Sequence, residues 1–408
     1  MSLEERGSRI SRRLSCIVLA LVTAAFLALP GTAFADPPKL VEDINPTGDS
    51  QPYDLTNVDG TLFFAANKTG TDATYYELWR SNGTALGTKR VKKTGYTDAQ
   101  NLTKLGHILY FVSTAGTAGY ELWRSDGTAL GTRRVKDINP SGDSSPQFLT
   151  NVGGTLFFSA NGGAGDELWK SDGTAAGTKR VKDINPSGAS YPYELTNVGG
   201  TLFFSAIGAT GGRELWKSDG TAAGTKRVKD INPAGDSNPD ELKGIGGTLF
   251  FRANDGTHGI EPWRSRGSTI GTRLLKDIYV GGGSSPYDFV NLGGTAYFFA
   301  SVNGSNSDLW KSDGTRNGTV SVKDLGSGVT FAGLLTRVGP RLYFSNNAAL
   351  GLGNELWVSD GTTAGTKALQ EINPTGDSNP AYLTGVGNVL FFAADDGTHG
   401  LELFKRVP

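Results

Sequence analysis

Short apolar runs alternate with glycine-rich turns along almost the whole chain after residue 39. In one copy, residues 155–160 read Thr-Leu-Phe-Phe-Ser-Ala and residues 167–170 read Glu-Leu-Trp-Lys. Neighbouring side chains of a β-strand point to opposite faces, so Leu-Phe-Phe and Leu-Trp place apolar groups on both faces. Strands of this kind belong in a sheet that is covered on both sides.

The apolar runs belong to a repeat. The tripeptide Glu-Leu-Trp, or a close variant of it, begins eight times, at Glu77, Glu121, Glu167, Glu214, Glu261, Asp308, Glu355 and Glu402. The first two intervals are 44 and 46 residues, and the next five are 47 residues each. A fixed period of this length indicates one supersecondary unit per repeat, stacked on its neighbours to bury its apolar faces.

One repeat contains four predicted strands. Residues 146–152 form strand A, 155–160 strand B, 167–170 strand C and 178–184 strand D, and a Gly-Gly hairpin turn joins A to B. Four short antiparallel strands in a repeat of this length match a propeller blade. We therefore predict an all-β fold, an eight-bladed β-propeller of four-stranded blades.

The two ends of the chain carry complementary parts of a repeat. The last copy stops after its strand C, at residues 402–405, whereas residues 40–46 repeat the strand D pattern of residues 180–186. We predict that the N-terminal strand, residues 39–45, pairs in the last blade and closes the ring, which would remove the exposed sheet edges.

The copy at residues 167–174 reads Glu-Leu-Trp-Lys-Ser-Asp-Gly-Thr and resembles the bacterial ELWxxDGT repeat family. The resemblance extends over nearly all of the chain after residue 39. It implies a secreted or surface-exposed repeat protein with a β-propeller fold. It implies no catalytic residues.

Residues 1–35 are predicted to be a signal peptide. Arg12 and Arg13 precede an apolar run at residues 16–29, and Ala-Phe-Ala at residues 33–35 is a cleavage signal. The run is too short for a comfortable membrane span, and no second long apolar stretch follows. Residues 36–408 are predicted to form a single domain that is exported to the cell surface, the medium or the periplasm.

Charge and composition exclude several functions. Residues 36–408 carry 35 basic and 38 acidic side chains, which argues against a nucleic-acid partner, because such proteins need a basic surface. The single Cys16 lies in the predicted leader, and no catalytic motif is present. Paired cations in strand D, for example Lys179 and Arg180, are interpreted as charges that block edge association. A rim that attracts anionic polysaccharide is the alternative.

Two sets of side chains are candidate sites. The loop Asn-Pro-x-Gly-Asp-Ser offers oxygen ligands of the kind that calcium prefers, so calcium is the candidate cofactor, with turn capping as the alternative. The aspartates of this metal hypothesis are Asp49, Asp143, Asp236 and Asp377. The aromatic residues of the repeated tripeptide, from Trp79 to Phe404, are interpreted as interblade core rather than sugar-stacking platforms.

The second candidate site lies on one face of the predicted propeller, formed by the B–C and D–A loops, which we call the loop face. These loops vary between repeats, and loops on a rigid scaffold commonly bind ligands. The least repetitive arc carries Tyr75, Tyr76, Asp395, Asp396 and His399. Aromatic residues beside polar groups suit contact with a sugar or a protein.

These observations predict a non-enzymatic, monomeric binding or adhesion module that recognises an extracellular glycan or a surface protein through its loop face. A secreted polysaccharide hydrolase or lyase on the same scaffold and a structural component of the envelope remain the alternatives.

The closure hypothesis predicts that deletion of residues 39–45 lowers the melting temperature substantially, because the last blade would lose a strand and expose an edge. Thermal melting and sedimentation of the truncated chain test this. An unchanged melting temperature together with an unchanged monomer would contradict closure.

Overall fold

The described part of the chain is built from β-strands alone. The computed structural model describes residues 42, 44, 53–68, 76–92, 97–114, 119–326, 332–347, 353–369, 372–386, 388–395, 397 and 401–406. Within these ranges there is no helix, and hence no helix that could cross a membrane. All of the strands lie in one compact unit, Ile44–Pro408.

Each repeat begins with two long strands, A and B. The A strands are β1 (Tyr53–Val58), β5 (Thr97–Leu105), β9 (Gln147–Val152), β13 (Tyr193–Val198), β17 (Asp240–Ile245), β21 (Tyr287–Leu292), β25 (Ala332–Val338) and β29 (Ala381–Val386). The B strands are β2 (Thr61–Ala66), β6 (Ile108–Thr114), β10 (Thr155–Asn161), β14 (Thr201–Ile207), β18 (Thr248–Asn254), β22 (Thr295–Ala300), β26 (Arg341–Asn346) and β30 (Val389–Asp395).

Strand C carries the repeated tripeptide, and a short strand D follows it. The C strands are β3 (Glu77–Ser81), β7 (Tyr120–Ser125), β11 (Asp166–Ser171), β15 (Arg213–Ser218), β19 (Ile260–Ser265), β23 (Asp308–Ser312), β27 (Glu355–Ser359) and β31 (Leu401–Arg406). The D strands are β4 (Lys89–Arg90), β8 (Arg133–Lys136), β12 (Lys179–Lys182), β16 (Lys226–Lys229), β20 (Arg273–Leu274), β24 (Val320–Lys323) and β28 (Lys367–Ala368).

The prediction of eight four-stranded blades is wrong in its count. Seven repeats form four-stranded antiparallel sheets in the order A-B-C-D, which we number blades one to seven. The last repeat is a sheet of three strands, β29, β30 and β31, because the described residues supply no strand D for it. Ring closure stays a prediction, since only Glu42 and Ile44 of residues 39–45 are described.

The sheets are arranged as consecutive blades of a β-propeller. From β1 to β29, strand A of each sheet contacts strand A of the next. The apolar core lies between the blades: Phe157 and Leu168 of blade three pack in one cluster with Phe204 and Trp216 of blade four. This is why Leu-Phe-Phe and Leu-Trp are apolar on both faces, and it confirms that the described tryptophans of the repeat belong to the core.

Hydrogen bonds also join the blades. The Lys170 ammonium donates to the carbonyl oxygen of Gly220 in the next blade at 2.7 Å. In the innermost strands, the Thr150 hydroxyl donates to the carbonyl oxygen of Leu195 at 3.0 Å. Equivalent bonds recur at other blade boundaries, as for Lys217 with Gly267. At these boundaries each blade is thus positioned by its neighbour through backbone carbonyl groups, whose presence does not depend on the side chain at that position.

The glutamate of the tripeptide is a buried carboxylate that anchors the D–A loop. In blade four, Glu214 is fully buried and accepts hydrogen bonds from the amides of Ile231 (2.8 Å) and Ser237 (3.2 Å). The Ser237 hydroxyl donates to the same carboxylate at 2.7 Å. Burial raises the pKa of Glu214, although these hydrogen bonds act in the opposite direction. The loop must therefore follow one course, because only that course brings its donors to the carboxylate.

Replacement of Glu214 by Ala should lower the free energy of unfolding by about 3 kcal/mol or more, because buried donors would lose a charged acceptor. Urea denaturation measures the loss. Glu214→Gln, which keeps one carbonyl oxygen as an acceptor, should lose less. A loss below about 1 kcal/mol for the Ala variant would show that the loop is held by other contacts.

Candidate functional site

One position in each repeat varies in residue type while its backbone is held in the same way. This position is the residue directly before the buried carboxylate of the tripeptide. We call it the first variable position. Its described occupants, from blade one to blade seven, are Tyr76, Tyr120, Asp166, Arg213, Ile260, Ser307 and Asn354. In blade four the Arg213 carbonyl oxygen accepts from the Ser237 amide at 3.1 Å. The fold therefore presents a different side chain from an equivalent backbone position in each blade.

In three blades, an aspartate of the metal hypothesis binds the amide of the residue at this position. The Asp143 carboxylate accepts the amide of Tyr120 at 2.9 Å, and Asp236 accepts that of Arg213 at 2.6 Å. Asp377 accepts the amide of Asn354 at 3.3 Å. Each aspartate thus holds the backbone at the first variable position.

These aspartates lie in different blades and do not converge. Among the described residues, no group of three or more His, Cys, Asp or Glu side chains is placed to hold a metal ion. Asp49 lies outside the described residues. Calcium binding stays a prediction.

A second variable position lies in the D–A loop, directly before a proline. Its backbone is in the left-handed region in five loops, where the occupants are Ser145, Tyr191, Asn238, Ser285 and Asn379, with φ between 41° and 45°. Asn tolerates this region well, but a bulky residue there is a genuine outlier. Tyr191 is such an outlier, and its side chain is 51% exposed. Strained residues of this kind cluster at functional sites.

A pocket of about 430 Å³ opens on the loop face between blades three, four and five. We call it the blade three–five pocket. Its principal lining residues are Phe148, Asp166, Tyr191, Tyr193, Arg213, Asp240, Arg252 and Ile260. All of them lie at the ends of strands A, B and C or in a D–A loop, on the predicted face. The volume and the mixture of aromatic and polar groups are those of a ligand pocket.

The pocket depends on an unusual placement of Tyr193. Tyr53 and Tyr287 occupy the same register, and their hydroxyls donate to carbonyl oxygens of the next blade, those of Ala99 and Ala332. Tyr193 is instead 43% exposed, and its ring packs edge-on against Phe148 with the centroids 4.9 Å apart. Its hydroxyl has no hydrogen-bond partner among the described residues, and the residue lines the pocket.

Two of the four charged side chains that line the pocket form an ion pair, and the other two do not. Arg252 donates from Nε to the Asp240 carboxylate at 3.1 Å and forms an ion pair with it. Within the described structure, neither Arg213 nor Asp166 has an ion-pair partner. Burial lowers the pKa of Arg213 and raises that of Asp166, because each charged form loses solvation. The pocket thus contains one neutralised pair and two unneutralised charges.

A cavity of about 470 Å³ lies beside this pocket, along the innermost strands. Glu194 lines it from a bulge in β13, where the residue has φ of 53°. The Glu194 carboxylate accepts the amide of Leu242 from the next blade at 2.7 Å. Burial raises the pKa of Glu194 to about 7, and the charges of Asp240 and Glu241 act in the same direction.

Of the five predicted ligand-binding residues, the structure describes only Tyr76 and the backbone of Asp395, so this site stays a prediction. Tyr76 is half-buried and packs edge-on against Tyr53, with the ring centroids 4.7 Å apart. Asp395 ends strand β30 and pairs with Leu401. The remaining three, Tyr75, Asp396 and His399, lie outside the described residues.

The paired cations of strand D are partly neutralised within their own blades. Arg180 forms an ion pair with Asp183 at 3.2 Å, and Arg134 and Arg227 have equivalent partners in Asp137 and Asp230. The outer rim therefore offers less unpaired positive charge than the sequence suggests.

Sequence reasoning missed the blade three–five pocket because it compared loop lengths between repeats. The informative signal is the change of residue type at one register. Where blades three and four have Ser159 and Ser205, blade five has Arg252, and only blade four has Arg at the first variable position. An alignment of the repeats by register exposes these departures.

No family model and no curated protein matches the chain. Solved structures with a similar fold include the computationally designed Ika8 protein, with 14% identity, a TM-score of 0.47, and coverage of 89% of this chain and 98% of that one. The β-propeller domain of the trilobed protease from Pyrococcus furiosus has 10% identity and a TM-score of 0.41, with 80% and 98% covered.

A structure from a study of two prolyl endopeptidases has 15% identity and a TM-score of 0.47, with 77% of this chain covered. The chain spans 50% of the length of that enzyme. At these identities and TM-scores, none of the likenesses carries an argument about activity.

The raised pKa of Glu194 predicts a pH-dependent effect of its replacement. The folded state holds this proton more tightly than the unfolded chain, whose carboxyl has the ordinary pKa of 4.5. The contribution of Glu194 to stability therefore falls as pH rises from 4.5 to about 7. Glu194→Gln should raise the melting temperature clearly at about pH 8 and much less at about pH 4.5. Equal shifts at the two pH values would contradict the assignment.

Proposed function

We propose that this protein is an exported, secreted or cell-surface binding module that recognises a glycan or a surface protein through the blade three–five pocket of its loop face. The observation that carries the proposal is the exposed pair Tyr191 and Tyr193 beside the unneutralised charges of Arg213 and Asp166. Such tyrosines present a flat apolar ring and a polar hydroxyl, which suits the faces and hydroxyls of a sugar ring.

The energetics of the pocket also support binding. Tyr191 is held in a left-handed conformation that Ser and Asn occupy in the other described loops, so stability alone does not favour a tyrosine there. An exposed aromatic ring at such a position is better explained by contact with a ligand. The Tyr191 amide donates to the carbonyl oxygen of Asp166 at 3.1 Å, which fixes the backbone that carries the ring and lowers the entropy cost of binding.

A polysaccharide hydrolase is the second candidate, and the pair of carboxyl groups at Glu194 and Asp240 favours it. Glycosidases commonly use two carboxyl groups that flank the scissile bond. Both groups here are already engaged, Glu194 with the Leu242 amide and Asp240 with Arg252. Release of reducing ends from a polysaccharide panel by residues 36–408 would establish this candidate in place of the binding module.

Replacement of Tyr191 by Ser should weaken glycan binding about tenfold, because an aromatic contact contributes up to about 1.5 kcal/mol beyond its buried area. A glycan array selects the ligand, and calorimetry then measures the affinity of both proteins. The melting temperature should not fall, since Ser145 and Ser285 adopt the same backbone conformation in other blades.

Leu86→Ser is the matched control. Leu86 is 96% exposed in a C–D turn, on the face opposite the loop face, so its replacement removes exposed apolar surface away from the pocket. Affinity should be unchanged in this variant. Retention of full affinity by Tyr191→Ser, or equal losses in the two variants, would place the binding site elsewhere.

A further inference from the structure

The blade three–five pocket contains two guanidinium groups in different states. Arg252 is neutralised by Asp240 within its own blade. Arg213 has no carboxylate within ion-pair distance among the described residues, although it is half-buried. The two arginines line the same pocket. Only one of them leaves a positive charge for a ligand.

Among the described residues, the protein holds Arg213 in place without an ion pair to its guanidinium group. Its amide is bound by Asp236 at 2.6 Å, and its Nη1 donates to the carbonyl oxygen of Tyr191 at 2.9 Å. Nη1 also lies 3.5 Å from the hydroxyl oxygen of Ser205. These contacts use one nitrogen of the guanidinium group and orient it. The other side-chain nitrogens, Nε and Nη2, have no hydrogen-bond partner among the described residues.

A half-buried cation without an anion is unfavourable, and a ligand that supplies the anion relieves that cost. The planar fork of a guanidinium group matches the two oxygens of a carboxylate, which makes the bidentate pair both strong and directional. The nearby Asp236 already accepts the Arg213 amide. The charge of Asp236 acts on Arg213 from a distance, but among the described residues no carboxylate contacts the guanidinium group, so its Nε and Nη2 remain available to a carboxylate of a ligand.

The groups around Arg213 restrict what carries that carboxylate. Tyr191 and Tyr193 expose aromatic rings, and Ile260 adds apolar surface on the blade five side. Asp166 supplies an acceptor for hydroxyl groups on the blade three side. A small inorganic anion would not use these surfaces. A sugar ring that bears a carboxylate uses all of them.

We propose that the blade three–five pocket binds a hexuronic acid unit of an acidic polysaccharide, with Arg213 as the receptor for its carboxylate and the two tyrosines as the surface for its ring. This inference rests on the proposed function and adds the chemical class of the ligand. It places the anion site in the pocket rather than on the cationic rim of the D strands.

The test uses trisaccharides of galacturonate, guluronate and mannuronate, each beside its carboxyl-reduced neutral counterpart, in calorimetric titrations of residues 36–408. At least one acidic trisaccharide should bind at least tenfold more tightly than its neutral counterpart. Arg213→Gln should remove that preference, and Arg213→Lys should restore part of it. Increasing salt should weaken binding of the acidic form only, because screening acts on the charge pair.

Two controls separate recognition from folding. Arg180→Gln removes the same charge from the rim, where Arg180 pairs with Asp183, and should leave the preference unchanged. The melting temperature of Arg213→Gln should match that of the parent, because Ser307 and Asn354 occupy the equivalent position in other blades.

The outcomes distinguish this inference from the proposed function. Equal affinity for the acidic and neutral forms, with loss of both in Tyr191→Ser, would overturn the uronate inference and keep the binding module. Preference for sulfated over carboxylated sugars on the glycan array would overturn it also. Loss of the acid preference in Arg180→Gln but not in Arg213→Gln would assign the anion site to the rim. Binding of no saccharide by the parent protein would overturn the uronate inference and the glycan form of the proposed function, and would leave a surface protein as the ligand class.

Discussion

The hydrogen bonds of the buried carboxylate in the repeated tripeptide are the constraint on which the rest of the structure depends. In blade three, Glu167 accepts the Ile184 amide, the Ser190 amide and the Ser190 hydroxyl. An ionised group can be buried only where donors surround it. The chain must therefore return from strand D along one path to bring those donors into place. That path also delivers it to strand A of the next blade, so the same bonds that satisfy the carboxylate define how successive blades meet.

The hydrogen bonds of the buried glutamate require the same residues in most blades, so differences between the repeats are confined to the side chains next to these bonds. The carbonyl oxygens of Asp166 and Arg213 accept the amides of Ser190 and Ser237, whose side chains bind the buried glutamates. The change from Asp to Arg between these neighbouring blades therefore alters the surface and leaves the backbone hydrogen bonds the same. Tyr191 shows how far this goes, because the loop keeps a left-handed backbone even under a bulky aromatic residue. The core clusters between blades three and four and between blades four and five do not include Tyr191, so their packing does not depend on this residue.

The arginines of the protein differ in whether a carboxylate pairs with them. Along strand D, arginines such as Arg134 have an aspartate three residues later, and exposed pairs of this kind contribute little stability but cancel charge. In the blade three–five pocket, Arg252 is paired with an aspartate, whereas the guanidinium group of Arg213 contacts only neutral oxygens among the described residues. Arginines of strand D pair with an aspartate three residues later in blades two, three and four. The lack of such a partner for the guanidinium group of Arg213 in the described part of the chain therefore indicates a ligand that carries a negative charge.

The sequence by itself determined the strands, the blade unit and the core. Those features are local or repeat at a fixed period, so one copy such as residues 146–186 contains the information for all of them. The number of complete blades was not accessible in this way, because it depends on whether distant segments of the chain pair with each other. For the same reason, closure of the ring remains a prediction.

Only the tertiary structure decided where a site could form. Tyr53, Tyr193 and Tyr287 share one register and one residue type, and the sequence offers no reason to separate them. In the fold, two of them donate to the next blade, and the third packs on Phe148 and opens towards a pocket. The ligand site predicted from the sequence was chosen because its B–C loops are long. The blade three–five pocket instead depends on which side chains of neighbouring blades lie next to each other on the loop face. That adjacency is a property of packing between repeats, which the sequence of one repeat does not contain.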